Sequence, residues 1–259
     1  MGSGDSFEGL ARFYDPIMQH VNYDRWYLVT TAVADLLPRP FRHLDAACGT
    51  GMLLKKLWRE RWNSYGLDLS SAMLQRSRET PGPARAVCAD LRAIPASASF
   101  DYVTSLFDSV NFLLAEEDLY CGIGQLTGAL RPQGVLYFDV VTERMVLDHF
   151  AGQSWSETNG GFTSHWTCEY DRGSGIVETR IRVNSGEQHT LRERVYPVDL
   201  VLDAAEKAGC QILASCDAQT WNRVNRRTIR VDIVAVRGST RDYKRAFRGV
   251  SKLVREMLG

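Results

Sequence analysis

His43-Leu44-Asp45-Ala46-Ala47-Cys48-Gly49-Thr50-Gly51 sets an apolar, acid-bearing strand directly before a glycine turn, and Met52-Leu53-Leu54-Lys55-Lys56-Leu57-Trp58 continues at helical spacing. One helix later, Ser64-Tyr65-Gly66-Leu67-Asp68-Leu69-Ser70 repeats the pattern of a short strand ending in a carboxylate. Such a succession suits a doubly wound sheet, where an acid at the tip of the second strand accepts hydrogen bonds from both ribose hydroxyls of a nucleoside. Glycine in the first turn lets the backbone approach that ligand, because no Cβ intervenes.

A dinucleotide fingerprint requires G-x-G-x-x-G, and Leu54 stands where the third glycine belongs. That departure argues against a nicotinamide-dependent oxidoreductase. Strand and helix alternate over 42–47, 52–61, 64–68, 71–78, 85–89, 101–107, 115–130 and 134–141, the rhythm of a parallel sheet covered on both faces. A helix over Tyr23 to Leu37 precedes them, closed by Pro38 and Pro40. After a helix near 143–150 the rhythm changes. Residues 154–158, 162–171, 175–184 and 188–196 read as strands separated by turns, and Ile176 to Val183 alternates apolar and polar residues as a half-buried antiparallel strand does. This insertion lies over the cleft or merely extends the sheet. Pro197 to Ala208 reads as a helix capped by Gly209, followed by strands Gln211 to Cys216 and Thr228 to Val236. From Thr240 an amphipathic helix carries Tyr243, Phe247, Val250, Val254 and Met257 on one face and a row of basic residues on the other, suited to docking on the domain or on a second copy in a homodimer, with contact to a membrane surface or RNA as the sharper alternative.

The motif D-A-A-C-G-T-G, with Gly-Leu-Asp-Leu-Ser behind it, resembles the cofactor-binding motifs of the class I S-adenosylmethionine-dependent methyltransferases. Further segments extend the resemblance: Ala89-Asp90-Leu91 at the third strand, Asp101 to Leu113 as the fourth strand and its loop, and Val135 to Val141 as the fifth. Phe13-Tyr14-Asp15-Pro16-Ile17-Met18 and Tyr23-Asp24-Arg25-Trp26 are similar to bacterial small-molecule members. The resemblance implies an α/β fold with a doubly wound, mostly parallel seven-stranded sheet (Rossmann-like) and an antiparallel β insertion. It divides the chain into a cofactor-binding core with an N-terminal helical cover (1–150), the insertion (151–196), the end of the core sheet (197–238) and the C-terminal helix (239–259).

For the site, the resemblance implies that Asp68 takes the ribose diol, and that Gly49 and Gly51 let the backbone meet the methionine part. Ala47 and Asp45 line that end, with Asp45 reaching the ammonium through a water. Asp90 accepts from the adenine amino group between Leu69 and Leu91, while Trp26, Met73, Ala89 and Phe107 complete the expected cofactor set. The bland alternatives are that Asp68 and Asp90 only cap the turns after them and that Trp26 is a helix-packing residue. Three catalytic candidates follow. Tyr14 closes over the sulfonium or packs as a core aromatic. Asp108, with Phe107, Ser109 and Asn111 at the end of the fourth strand, orients an amine acceptor and takes its proton, or caps the next helix. His189 shares a strand face with Glu193 and forms a base with it, or the pair is solvated sheet surface. The expected reaction is methyl transfer to a small molecule, nitrogen favoured over oxygen, with a non-catalytic cofactor-binding partner subunit as the rival reading.

Composition sets the outer limits. Lys+Arg and Asp+Glu both number 31, so the basic excess of a nucleic-acid protein is missing. The six cysteines and five histidines are scattered, which argues for free thiols and against a metal site. No apolar run is long enough to span a membrane. The expected location is the cytoplasm, and the first five residues read as a flexible start.

Overall fold

The computed structural model describes residues 5–78, 85–184 and 186–259, so most of the expected flexible start and Ser185 of the turn at 184–186 lie outside the described residues. Seven strands form the main sheet: β1 (Arg42–Ala46), β2 (Asn63–Asp68), β3 (Ala86–Cys88), β4 (Phe100–Ser105), β5 (Leu130–Val141), β10 (Cys210–Asp217) and β11 (Arg230–Arg237). Their order is β10-β11-β5-β4-β1-β2-β3, with only β11 running antiparallel to its neighbours. The chain proceeds outward from β1 to β3 and then crosses back to β4 on the other side of β1. The carboxyl ends of β1 and β4 therefore flank the point where strand order reverses, which is where open α/β sheets bind ligands.

The sheet is buried on both faces, as parallel strands require. Along β4, β5 and β11, Val103, Leu136 and Ile233 point to one core, which is closed by α5 (Glu116–Ala129) and α7 (Val198–Lys207). Their neighbours Tyr102, Tyr137 and Val234 point to the other core, closed by α2 (Tyr23–Ala34), α3 (Met52–Arg59) and α8 (Tyr243–Leu258). Local chemistry fixes the helix ends. Asn22 caps α2 by accepting from the Asp24 N–H, Glu116, Glu117 and Asp118 face the positive end of α5, and Gly209 ends α7 at φ +94°. The C-terminal helix docks on its own domain: Val250 and Val254 are buried, and Phe247 packs on the fully buried Trp221. Its basic row faces outward.

The insertion is a separate four-stranded antiparallel sheet in sequential order: β6 (Ser154–Asn159), β7 (Phe162–Asp171), β8 (Ile176–Val183) and β9 (Glu187–Arg194). Its inner face is covered in two places. Leu10, Phe13 and Ile17 of a short N-terminal helix, α1 (Ala11–Ile17), and the residue before it pack on Ile181 and Val183. Val146 of α6 (Glu143–His149) packs with Cys168 and Val177. Periodicity did not reveal α1, because seven residues with Pro16 inside give too few turns to read. Between the inner face of the insertion and the strand tips of the main sheet lies a cavity of about 1170 Å³. Among the described residues no helix is long and apolar enough to cross a membrane.

Candidate active site

The glycine turn is built from left-handed backbone. Ala47, Gly49 and Gly51 have φ of +63°, +56° and +74°, so three residues out of five are in the region that L side chains avoid. The Gly51 N–H closes the turn on the Cys48 carbonyl at 2.9 Å, and Gly51 begins α3. A Cβ on Gly49 would meet no atom within 4 Å, so the turn presents bare backbone to open space in the cavity. Asp68, at the tip of β2, holds this turn in place. Its Oδ2 accepts from the Gly49 N–H at 2.7 Å and its Oδ1 from the Ser70 N–H at 2.8 Å. A carboxylate offers about four lone-pair sites, so each oxygen retains one for a ligand hydroxyl. Burial pushes the Asp68 carboxyl above its ordinary range, and the two N–H groups pull it back.

Beneath the turn runs a buried chain of hydrogen bonds. Thr104 Oγ1 donates to Asp45 at 2.7 Å, and His43 Nε2 lies 3.0 Å from the same hydroxyl. With Asp45 ionised, the single Thr104 proton is spent, so His43 Nε2 must donate and Nδ1 must accept from the Ser64 hydroxyl 3.1 Å away. Burial keeps that imidazole neutral, with its pKa pulled down to about 3. Burial likewise lifts Asp45 to about 7, against the Thr104 hydrogen bond that stabilises its charge.

The far end of the cavity is aromatic and acidic. Tyr23 stacks on Phe107 at 6.0 Å, Trp26 meets the same ring edge-on at 5.0 Å, and the Tyr14 side chain lies beside Tyr23. Phe107 and Asp108 both have left-handed φ, +62° and +53°, at the end of β4. Strain of this kind persists where surrounding contacts over-determine it. Here the Asp108 N–H is held by Asp139 of β5 at 3.2 Å, and the Asp108 carboxylate by Arg230 of β11 at 3.3 Å. Arg230 also donates to Asp139. Glu193 of β9 lies within hydrogen-bond reach of Asp108 from above. Burial raises both carboxyls, Glu193 far above the usual range. The Asp108 Oδ1 has no N–H or hydroxyl on it.

Tyr14, Trp26, Asp45, Ala47, Gly49, Asp68, Leu69, Met73, Asp90, Leu91, Phe107 and Asp108 all line this one cavity. Asp90 does so while capping the short turn Leu91–Ala93 and binding Arg92, whose hydrogen bonds hold its carboxyl below the ordinary range. Three expected residues do not reach the cavity. Gly51 lies behind the turn against Ser77, where its backbone freedom serves the start of α3. Ala89 only pairs its N–H with the Asp68 carbonyl. His189 is a correction to the expected His–Glu base: α1 covers that end of β9, and the ring packs on Gly9 and Phe13 instead. Asn111 is buried and structural, donating to the Arg194 carbonyl and accepting from the Val141 N–H. Sequence reasoning assigned no site role to Arg230, Asp139 or Asp15. Asp15 ties the N-terminal cover to the glycine turn by accepting from Thr50 Oγ1 at 2.6 Å.

The chain is similar to known proteins. The family model described as "Methyltransferase domain" matches residues 44–134, the stretch that supplies β1, the glycine turn, Asp68 and Asp108. The chain is 28% identical over 217 residues to YqeM of Bacillus subtilis (strain 168), which carries a provisional methyltransferase name; the match covers 80% of this chain and 87% of that one. It is 29% identical over 191 residues to the dTDP-3-amino-3,6-dideoxy-alpha-D-glucopyranose N,N-dimethyltransferase of Streptomyces fradiae, covering 72% of this chain and 69% of the relative. Among solved structures, an S-adenosylmethionine-dependent methyltransferase from Clostridium acetobutylicum ATCC 824 superposes with a TM-score of 0.75 at 22% identity, over 91% of this chain and all of that one. Leu54 rather than glycine after the turn and the acid at the tip of β2 agree with these matches: the chain carries a methyltransferase domain over residues 44–134 and is similar over most of its length to S-adenosylmethionine-dependent methyltransferases.

Proposed function

We propose that the protein methylates the nitrogen of a small-molecule amine. The observation that carries this reading is Asp108: a carboxylate at the carboxyl end of β4, with one oxygen free of N–H and hydroxyl donors and aromatic rings beside it. That is an environment for a cation or an N–H donor, since ring faces and carboxylates both attract positive charge. The amino-sugar N,N-dimethyltransferase of Streptomyces fradiae among the relatives favours the same acceptor atom.

The residues fit the cofactor. In this reading the free lone pairs of Asp68 receive the ribose diol, and the bare backbone of Gly49 faces the methionine part. Leu69 and Leu91 flank the base, with Met73 beneath it. Asp45 balances the ammonium, and Tyr14 closes the roof near the sulfonium. S-adenosylmethionine supplies an electrophilic methyl carbon that needs no further activation. The protein's own work is therefore to align the acceptor, exclude water and free a nitrogen lone pair, and positioning alone is worth about 7–11 kcal/mol of barrier. Asp108 orients the amine and accepts its proton, while Arg230 favours the ionised form of Asp108 against the effect of burial. The insertion (151–196) acts as the wall that shuts water out of the acceptor end.

The test is transfer of isotope-labelled methyl from S-adenosylmethionine to a panel of amines and alcohols, with products identified by mass. Label on nitrogen is expected; label confined to oxygen would overturn the acceptor assignment. A pH effect follows from Asp45. Its carboxyl is protonated below about 7 in the free protein, and the ammonium of S-adenosylhomocysteine favours the ionised form. Binding should therefore release a proton at pH 6, so affinity climbs with pH and levels off above 7 to 8. Calorimetry in buffers of different ionisation heat reads this directly, and Asp45→Asn should abolish the climb. A slope identical in that variant would assign the proton elsewhere.

A further inference from the structure

Resting on the proposed N-methylation, we infer that the acceptor is an amine borne on a flat apolar body and carries no phosphate, unlike the nucleotide-linked amino sugars of the named relatives. About 1170 Å³ exceeds the 300–1,000 Å³ of ordinary ligand pockets, so the cavity holds a second molecule beyond the nucleoside. Past Asp108 one stretch of its wall is aromatic and aliphatic. Met145 and Phe150 come from α6 and the residue after it, and Trp155 and Trp166 come from a directly paired position on β6 and β7. The two indoles stack at 5.5 Å and 8°. Their N–H groups are already spent, Trp155 on Glu157 at 3.1 Å and Trp166 on Ser164 at 2.9 Å, so they offer the cavity only ring surface.

Charge points the same way. A diphosphate needs arginine or lysine side chains free to grip it. Among the described residues, the arginines on the cavity wall are committed to carboxylates: Arg92 to Asp90 and Asp118, Arg230 to Asp108 and Asp139, and the exposed Arg192 to Glu178. His20, the remaining basic side chain on the wall, lies 3.7 Å from Glu157. The groups left facing an acceptor are Asp108 and Glu193, with Tyr14 and Tyr23 from the N-terminal helices beside Asp108 and Arg230 and Asp139 beneath. Such a lining repels a diphosphate and admits a cation. The acid pair takes the amine, and the indole wall takes the body.

The probes are tryptamine, its neutral isostere tryptophol, and thymidine diphosphate, each titrated calorimetrically into the full chain saturated with S-adenosylhomocysteine. Tryptamine should bind at least tenfold tighter than either of the others. Trp166→Ala should weaken tryptamine about tenfold and Glu193→Gln should narrow its margin over tryptophol, with affinity for S-adenosylhomocysteine within twofold of wild type in both variants. Thymidine diphosphate binding as tightly as tryptamine, tryptophol matching it, or no tryptamine binding to the saturated protein would overturn the inference while leaving the cofactor site intact. Failure of S-adenosylhomocysteine itself to bind would remove the cofactor assignment first and this inference with it, a result that the saturating titration records separately.

Discussion

Asp68→Ala is expected to lower affinity for S-adenosylhomocysteine by about two orders of magnitude. Each ribose hydroxyl would donate to a charged oxygen, and hydrogen bonds to charged groups contribute about 1.5–3 kcal/mol each. Two at the lower end come to about 3 kcal/mol, or roughly a hundredfold. The same carboxylate also holds the Gly49 and Ser70 N–H groups, so its loss loosens the turn that the ligand must meet. Asp68→Asn retains one acceptor oxygen and should fall between wild type and alanine. Calorimetric affinities equal in all three proteins would show that the ribose lies elsewhere.

The second large effect is on stability. Arg230 is buried with Asp108 and Asp139, its side chain 14% exposed and theirs 15% and 0%. Arg230→Met fills much of the same volume but leaves two buried carboxylates facing each other, with Glu193 above. Removing one partner of a buried ion pair costs about 3–5 kcal/mol, and urea unfolding at pH 7.5 should register a loss of that size. The pH dependence has a definite sign. Burial already raises the Asp108 carboxyl, and Arg230 is the main group lowering it. Without Arg230 the native state binds protons at a pH where the unfolded carboxyls have released theirs, so native stability falls as pH rises through that window. The deficit should therefore be largest at pH 7.5 and shrink at pH 5.5. A deficit under about 1 kcal/mol, unchanged between the two, would mean that the cluster is solvated and the ion pair incidental.

The strand tips and glycine turn at one end of the cavity were legible in the sequence because their signals are local. A strand tip, a turn that needs left-handed backbone and the next strand tip are consecutive, so D-A-A-C-G-T-G and Gly-Leu-Asp-Leu-Ser locate β1, the turn and Asp68 by spacing alone. The insertion strands were equally readable from alternation and turn residues. Contacts made by sheet order were not. Arg230 reaches Asp108 and Asp139 because β11 pairs with β5 and β5 with β4, and nothing near residue 230 in the chain announces this. Parity on β9 correctly put His189 and Glu193 on one face, but it carries no information about what covers that face. The N-terminal helix screens His189, and the cavity opens only further along at Glu193. Asp90 illustrates the remaining ambiguity, since a capping carboxylate and a ligand-facing one have the same sequence signature, and this residue both caps its turn and lines the cavity.

A crystal structure of the protein with S-adenosylhomocysteine tests the central claim most directly. The nucleoside should lie between the two strand tips, both ribose hydroxyls on the Asp68 carboxylate, the homocysteine passing over the bare backbone at Gly49 and the sulfur turned toward Asp108. A nucleoside bound away from Gly49 and Asp68, or with its sulfur directed away from the indole-lined end of the cavity, would contradict the account.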